Sequence, residues 1–267
     1  MRKIFVSISL VFISLSVFAQ QAKVKKEVEK KGIIYNKEFS GGAYVASNGW
    51  GIMMERGKIK SIKKTRLMYW SFGELRDMRM RKQNADLGFF GNAPGNESPK
   101  DFFFGRQNNF YALRFGFGQK RVLGDKAEKN GVRVALTYTA GLSLGFLKPY
   151  YLDLAYLIDD SDPRFQTYAV FSQKYSERNA DKFLDWYSIA GASGFKYGLK
   201  EIEPVPGGFG KIGLNFDWGK IEEMQMALEV GIMADVYYKR IPIMVADNNK
   251  PYFFGAYVQF QFGKRKY

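Results

Sequence analysis

The stretch Tyr252-Phe253-Phe254-Gly255-Ala256-Tyr257-Val258-Gln259-Phe260-Gln261-Phe262 constrains this chain more than any other. Read at period two, it sets Ala256, Val258, Phe260 and Phe262 on one side and Gly255, Tyr257, Gln259 and Gln261 on the other. In water, an edge strand this rich in exposed aromatics would recruit other strands and aggregate. About ten alternating residues, apolar to one side and polar to the other, are what a strand needs to cross a bilayer around a lumen. The alternation recurs over 108–118, 131–147, 209–218 and 222–240, and none of these segments forms a clean stripe at helical spacing. The reading is an all-β, antiparallel, up-and-down transmembrane barrel.

The N-terminus fits an exported chain. Arg2 and Lys3 precede an apolar run from Ile4 to Phe18, and Val17 and Ala19 are small enough for leader cleavage before Gln20. Beyond residue 19 no run of about 20 apolar residues offers a transmembrane helix, so a mature chain that spans lipid must do so as a closed barrel. The chain has no cysteine, which excludes a lipoprotein anchor, a disulfide framework and thiolate metal sites.

Three divisions follow: a signal peptide at 1–19, a charged leader at 20–36, and a barrel from 37 to 267. Asn48-Gly49 marks a tight hairpin turn. Long connections near 76–106 and 158–206 should share one side, since even-stranded bacterial barrels put long loops outside and short turns inside. That parity holds if 131–157 is one long strand kinked at Pro149 and Gln119 to Asn130 is an inner connection. Eight strands result; ten follow if the leader also pairs.

The closing strand, with Gly255 followed by Val258, Phe260 and Phe262, resembles the C-terminal β-signal of bacterial outer-membrane proteins. Here a basic tail and Tyr267 follow the final aromatic of that pattern. The segment Ala140-Gly141-Leu142-Ser143-Leu144-Gly145-Phe146-Leu147-Lys148-Pro149-Tyr150 resembles a stretch of small, uncharacterised Bacteroidota outer-membrane barrels. The resemblance implies residence in the outer membrane, insertion by the barrel-assembly machinery, and a structural or accessory role that extends to a protein partner in a larger envelope complex. It implies no activity that could be carried over residue by residue.

The chain contains no histidine, which removes the histidine-dependent mechanisms of barrel proteases, phospholipases and deacylases. The expectation is a non-enzymatic protein without cofactor or metal. Asp159-Asp160-Ser161-Asp162-Pro163 lacks the glycine and terminal glutamate of a calcium loop. A net charge of +15 calls for an anionic partner. Export argues against nucleic acid and for outer-membrane lipid and lipopolysaccharide. Arg76, Arg79, Arg81, Lys82, Lys239 and Arg240 are placed at the outer rim, level with lipid phosphates.

Alternation puts Arg114, Arg133, Lys211, Asp217, Glu229 and Asp235 inside. An eight-stranded barrel barely holds its own side chains, so these charges should pair into a plug, with Arg114 and Arg133 each meeting a carboxylate among Asp217, Glu229 and Asp235. The 158–206 segment, with Trp186, Tyr187, Phe195 and Tyr197, is too aromatic for a tether and should fold over the mouth or dock on a partner. Two rival readings are a small-solute channel and a soluble exported barrel holding an apolar ligand.

Overall fold

The computed structural model describes residues 35–83, 100–126, 131–159, 167–219, 223–245 and 248–267. The signal peptide, nearly all of the charged leader and residues 160–163 of the acidic cluster lie outside them. In chain order the strands are β1 (Lys37–Ala46), β2 (Gly49–Ser61), β3 (Lys64–Leu75), β4 (Lys82–Gln83), β5 (Phe102–Phe103), β6 (Asn108–Gly124), β7 (Arg133–Pro149) and β8 (Tyr151–Asp159). They continue with β9 (Thr167–Lys174), β10 (Ile189–Ala192), β11 (Glu203–Asp217), β12 (Met224–Tyr237) and β13 (Tyr252–Lys266). A single turn of helix, α1 (Ala180–Phe183), precedes β10.

Eight strands close into an antiparallel barrel in the order β1-β13-β12-β11-β7-β6-β3-β2, each beside its neighbours in sequence among the eight. Polarity is inverted relative to a water-soluble protein. Val45, Ile52, Phe117, Leu142, Val258 and Phe262 are exposed on the outer wall, while Arg114, Lys211, Glu229 and Gln261 are buried inside. Only a hydrocarbon exterior makes that arrangement stable, and the chain is a transmembrane up-and-down barrel.

The register fixes the tilt. Pairs followed round from Val205 through Gly145, Ala112, Gly73, Gly51, Tyr44, Gln259 and Glu229 return to β11 at Asn215, ten residues further on. That stagger tilts the strands strongly and brings residues of distant sequence to one height. In β3, where Leu67, Met68, Tyr69 and Trp70 leave the facing ambiguous, Leu67, Tyr69 and Ser71 point inward.

Two boundaries differ from expectation. Residues 131–157 are not one strand: Tyr150 leaves the barrel ladder, its N–H donating to Gln107 O at 3.0 Å. β8 then joins a separate sheet, ordered β10-β8-β9. Pro149 has no N–H to continue the ladder. The connection expected at 119–130 is shorter, because Gln119 to Val122 stay paired with β7 and β6 ends at Gly124.

Candidate functional site

The lumen is filled in layers. Nearest the long loops, Arg114 grips Asp235 with two prongs, Nε to Oδ1 at 2.6 Å and Nη2 to Oδ2 at 2.9 Å, and its Nη1 donates to the Tyr44 hydroxyl at 2.8 Å. Such bidentate contacts are the strong form of a buried ion pair. Room for the Tyr44 phenol comes from Gly51 and Gly73, where a Cβ would lie 2.6 and 2.5 Å from its oxygen.

At mid-height Lys211 Nζ donates to Glu229 Oε1 at 3.0 Å and to Gln259 Oε1 at 3.2 Å, and lies 3.4 Å from Glu55 Oε1. It stands over the Tyr69 ring at 4.1 Å, and the Tyr257 hydroxyl donates to Glu229 Oε1 at 2.7 Å. Toward the chain termini Lys120 Nζ meets Glu38 Oε1 at 2.9 Å, and Arg265 binds Asp217. Each of these lumenal charges thus has an opposite charge in contact, the condition under which ions tolerate an enclosed site.

The loop end is shut by apolar packing. Ile241 and Ile243, in the segment between β12 and β13, press onto Leu75, Phe110, Leu147, Val205 and Tyr237. Hydrogen bonds sew the segment down: Gln107 N–H donates to Ile243 O at 2.8 Å and Asn108 Nδ2 to Pro242 O at 2.6 Å. Beside it the buried Arg106 pairs with Glu74 at 2.6 Å and lies over the Phe103 and Tyr150 rings.

Above this stopper sits a small folded cap. Phe102, Tyr150, Leu152, Leu154, Phe183 and Ile189 form its buried core, with Phe104, Tyr175 and Val245 against it. Trp186 packs on Phe102 and Phe104, Tyr197 on Tyr151, and Phe195 under Lys148 Nζ. Tyr187 and Phe195 remain largely exposed.

Arg114, Lys211, Asp217, Glu229 and Asp235 lie in the lumen. Arg133 does not enter the network: at the end of β7 it is 32% exposed and bonds Asp125 Oδ1 at 2.7 Å. Alternation gave its side, but its height puts it at the mouth. Asp217 faces Arg133 in register yet binds Arg265. Sequence reasoning missed Glu38, Glu55, Lys120 and Arg265. Glu55 shares the parity of the inward Met53, a usable signal, whereas the Lys120–Glu38 contact depends on the stagger.

At the rim, Arg76 pairs with Glu74, Arg79 with Asp77, Lys82 with Asp101 and Lys239 with Glu203. Arg81 and Arg240 are exposed, and neither forms a salt bridge among the described residues. Gly255 faces inward, Val258 and Phe262 face outward, and Phe260 stacks edge-on against Phe262. Among the described residues no group of acids could hold a metal ion.

A closed transmembrane barrel with an ion-paired lumen and a folded cap defines the class. The sequence matches no family model and no curated protein. Among solved structures it is similar to the crystal structure of Neisserial surface protein A (NspA), at 8% identity and a TM-score of 0.37, over 86% of this chain and 94% of that one. So slight a likeness adds nothing to what the strand register establishes.

Proposed function

We propose that this protein is an integral outer-membrane barrel without enzymatic activity that works through its cap, as a structural or accessory partner in the envelope. The observation that carries this reading is the sealed lumen. With Ile241 and Ile243 seated over it and Arg114–Asp235 and Lys211–Glu229 across it, no open path runs through the barrel, and the surface left for recognition is the cap. The exposed Tyr187, Phe195 and Tyr197 are the side chains a protein partner would bury. The leader pattern and the lipid-facing wall support export to the outer membrane. A role in lipopolysaccharide contact falls to Arg81 and Arg240, because the other rim cations are already paired.

Membrane fractionation followed by mild-detergent pull-down tests this reading. Recovery in the outer membrane with a protein captured by the wild type but not by Tyr187→Ala/Phe195→Ala is expected; a soluble periplasmic chain overturns it. A second reading, a small-solute channel, draws on Thr137, Thr139, Gln259 and Gln261, whose buried side chains each have a polar atom without a protein partner. Discrete conductance steps in planar bilayers would put that reading first.

A further inference from the structure

The outer wall is asymmetric in charge near the chain termini. On five consecutive strands, Lys264 and Lys266 (β13), Lys37 (β1), Arg56 and Lys58 (β2), Lys64 and Arg66 (β3) and Arg121 (β6) stand at outward positions. The register puts like charges face to face: Lys37 opposite both Lys266 and Lys58, Lys58 opposite Arg66, and Lys64 opposite Arg121. Cross-strand pairs of one sign destabilise a sheet, so a row of them calls for an anion outside the protein.

Among the described residues, the acids at this end do not supply it. Glu38 and Asp217 face the lumen, Asp125 is bonded to Arg133, and Glu223 forms no ion pair among the described residues. Among the described residues, the outward positions of the remaining strands near this end are apolar, with Val134 and Leu136 on β7, Phe216 on β11 and Met226 on β12. Where the row crosses from β13 to β2, Phe39, Met224 and Phe262 floor a groove of about 510 Å³ edged by Lys37, Arg56, Lys264 and Lys266.

We propose that this face binds anionic phospholipid in the leaflet at the terminal end. Headgroup phosphates sit among the cations through charge-assisted hydrogen bonds, and an acyl chain lies in the groove. Cations above an apolar floor match a phosphate that carries hydrocarbon. The proposal rests on the transmembrane barrel and is independent of what the cap does.

The test is native mass spectrometry of the full chain, folded in detergent and titrated with phosphatidylglycerol or phosphatidylcholine. Wild type should prefer phosphatidylglycerol, and Lys37→Gln/Arg56→Gln/Lys264→Gln/Lys266→Gln should lose that preference, by about fivefold for each cation removed. Four loop-end cations changed to Gln (Lys100, Arg178, Lys196 and Lys200) should leave it intact. Equal binding of the two lipids by folded wild type overturns the proposal, as does equal loss in the loop-end variant. Displacement of phosphatidylglycerol by a soluble polyglutamate peptide at matching concentration would assign the face to an acidic protein instead. Folding is read separately from heat-modifiable gel mobility, and if the quadruple variant fails there, Arg56→Gln and Lys266→Gln carry the same titration. A wild-type chain that never folds in detergent or lipid removes the barrel itself, a failure distinct from lost lipid preference.

Discussion

The barrel and its cap obey opposite rules within a few residues of one another. On β7, Leu142 and Leu144 point outward, with Leu142 74% exposed, while Arg114 and Lys211 are buried inside. Past Pro149 the same alternation runs on, but Leu152 and Leu154 become the fully buried core of the cap. There the charged Lys174, Glu177 and Lys200 face water. The sequence pattern scarcely changes across this boundary. What changes is the solvent: hydrocarbon around β7, water around β8. Burial of apolar surface drives the cap, whereas in lipid the leucines need not be hidden and the ions must be.

The comparison breaks most visibly at its two cores. Asp235→Ala leaves the Arg114 guanidinium buried without its partner, and a loss of about 3–5 kcal/mol is expected for the barrel. Arg114→Met/Asp235→Leu should restore much of it, because the pair vanishes together. Denaturant unfolding of the four variants in detergent gives the coupling energy; near-zero coupling would mean a hydrated lumen and would favour the channel reading. In the cap, Phe183→Ala should cost about 3–5 kcal/mol as an apolar cavity, felt locally. Protease should then cut within 151–202 while the barrel keeps its folded gel mobility. Loss of both together would show that cap and barrel fold as one unit.

A smaller effect separates the two surfaces. Val230 on the lipid wall and Ile158 on the cap are both exposed apolar residues. Val230→Arg should cost about 2–4 kcal/mol if it lies near the bilayer midplane. Ile158→Arg should stay within about 0.5 kcal/mol, as surface changes in water usually do. Equal costs at the two sites would erase the distinction between them.

Period two made five of the eight barrel strands legible, β6, β7, β11, β12 and β13, and with them the facing of residues such as Glu229 and Val258, while the count of eight came from loop parity and the facing of β3 stayed ambiguous. It did not show where β7 ends, since alternation is blind to which sheet a strand joins. Nor could it place Arg133: parity gives a side and register gives a height. The Lys120–Glu38 pair needs the stagger around the barrel, which no single strand encodes. The cap core was legible only as an excess of aromatic residues, because Phe102 and Phe183 meet across 80 residues of chain.

The smallest expected effect lies on the cap surface. Glu201 accepts from Lys174 Nζ and from the Tyr151 hydroxyl, the latter at 2.6 Å. These bonds, the lysine's first, hold the Glu201 carboxyl below its ordinary range, and the same carboxylate pushes the Tyr151 phenol up to about 12. A carboxyl with a lowered folded pKa stabilises the cap above its unfolded value, and that contribution fades as pH falls through the folded value. Acidification from neutrality should therefore leave the contact in place until below the usual glutamate range. Because the groups are solvent-exposed and screened, Glu201→Gln should cost under about 1 kcal/mol at pH 7. The difference between wild type and Glu201→Gln should vanish in stronger acid, read by protease susceptibility of the 151–202 region across pH. A difference that persists or grows below the folded pKa would show that the Glu201 contact is not ionic, and that this corner of the cap is held by packing of Tyr151 on Tyr197.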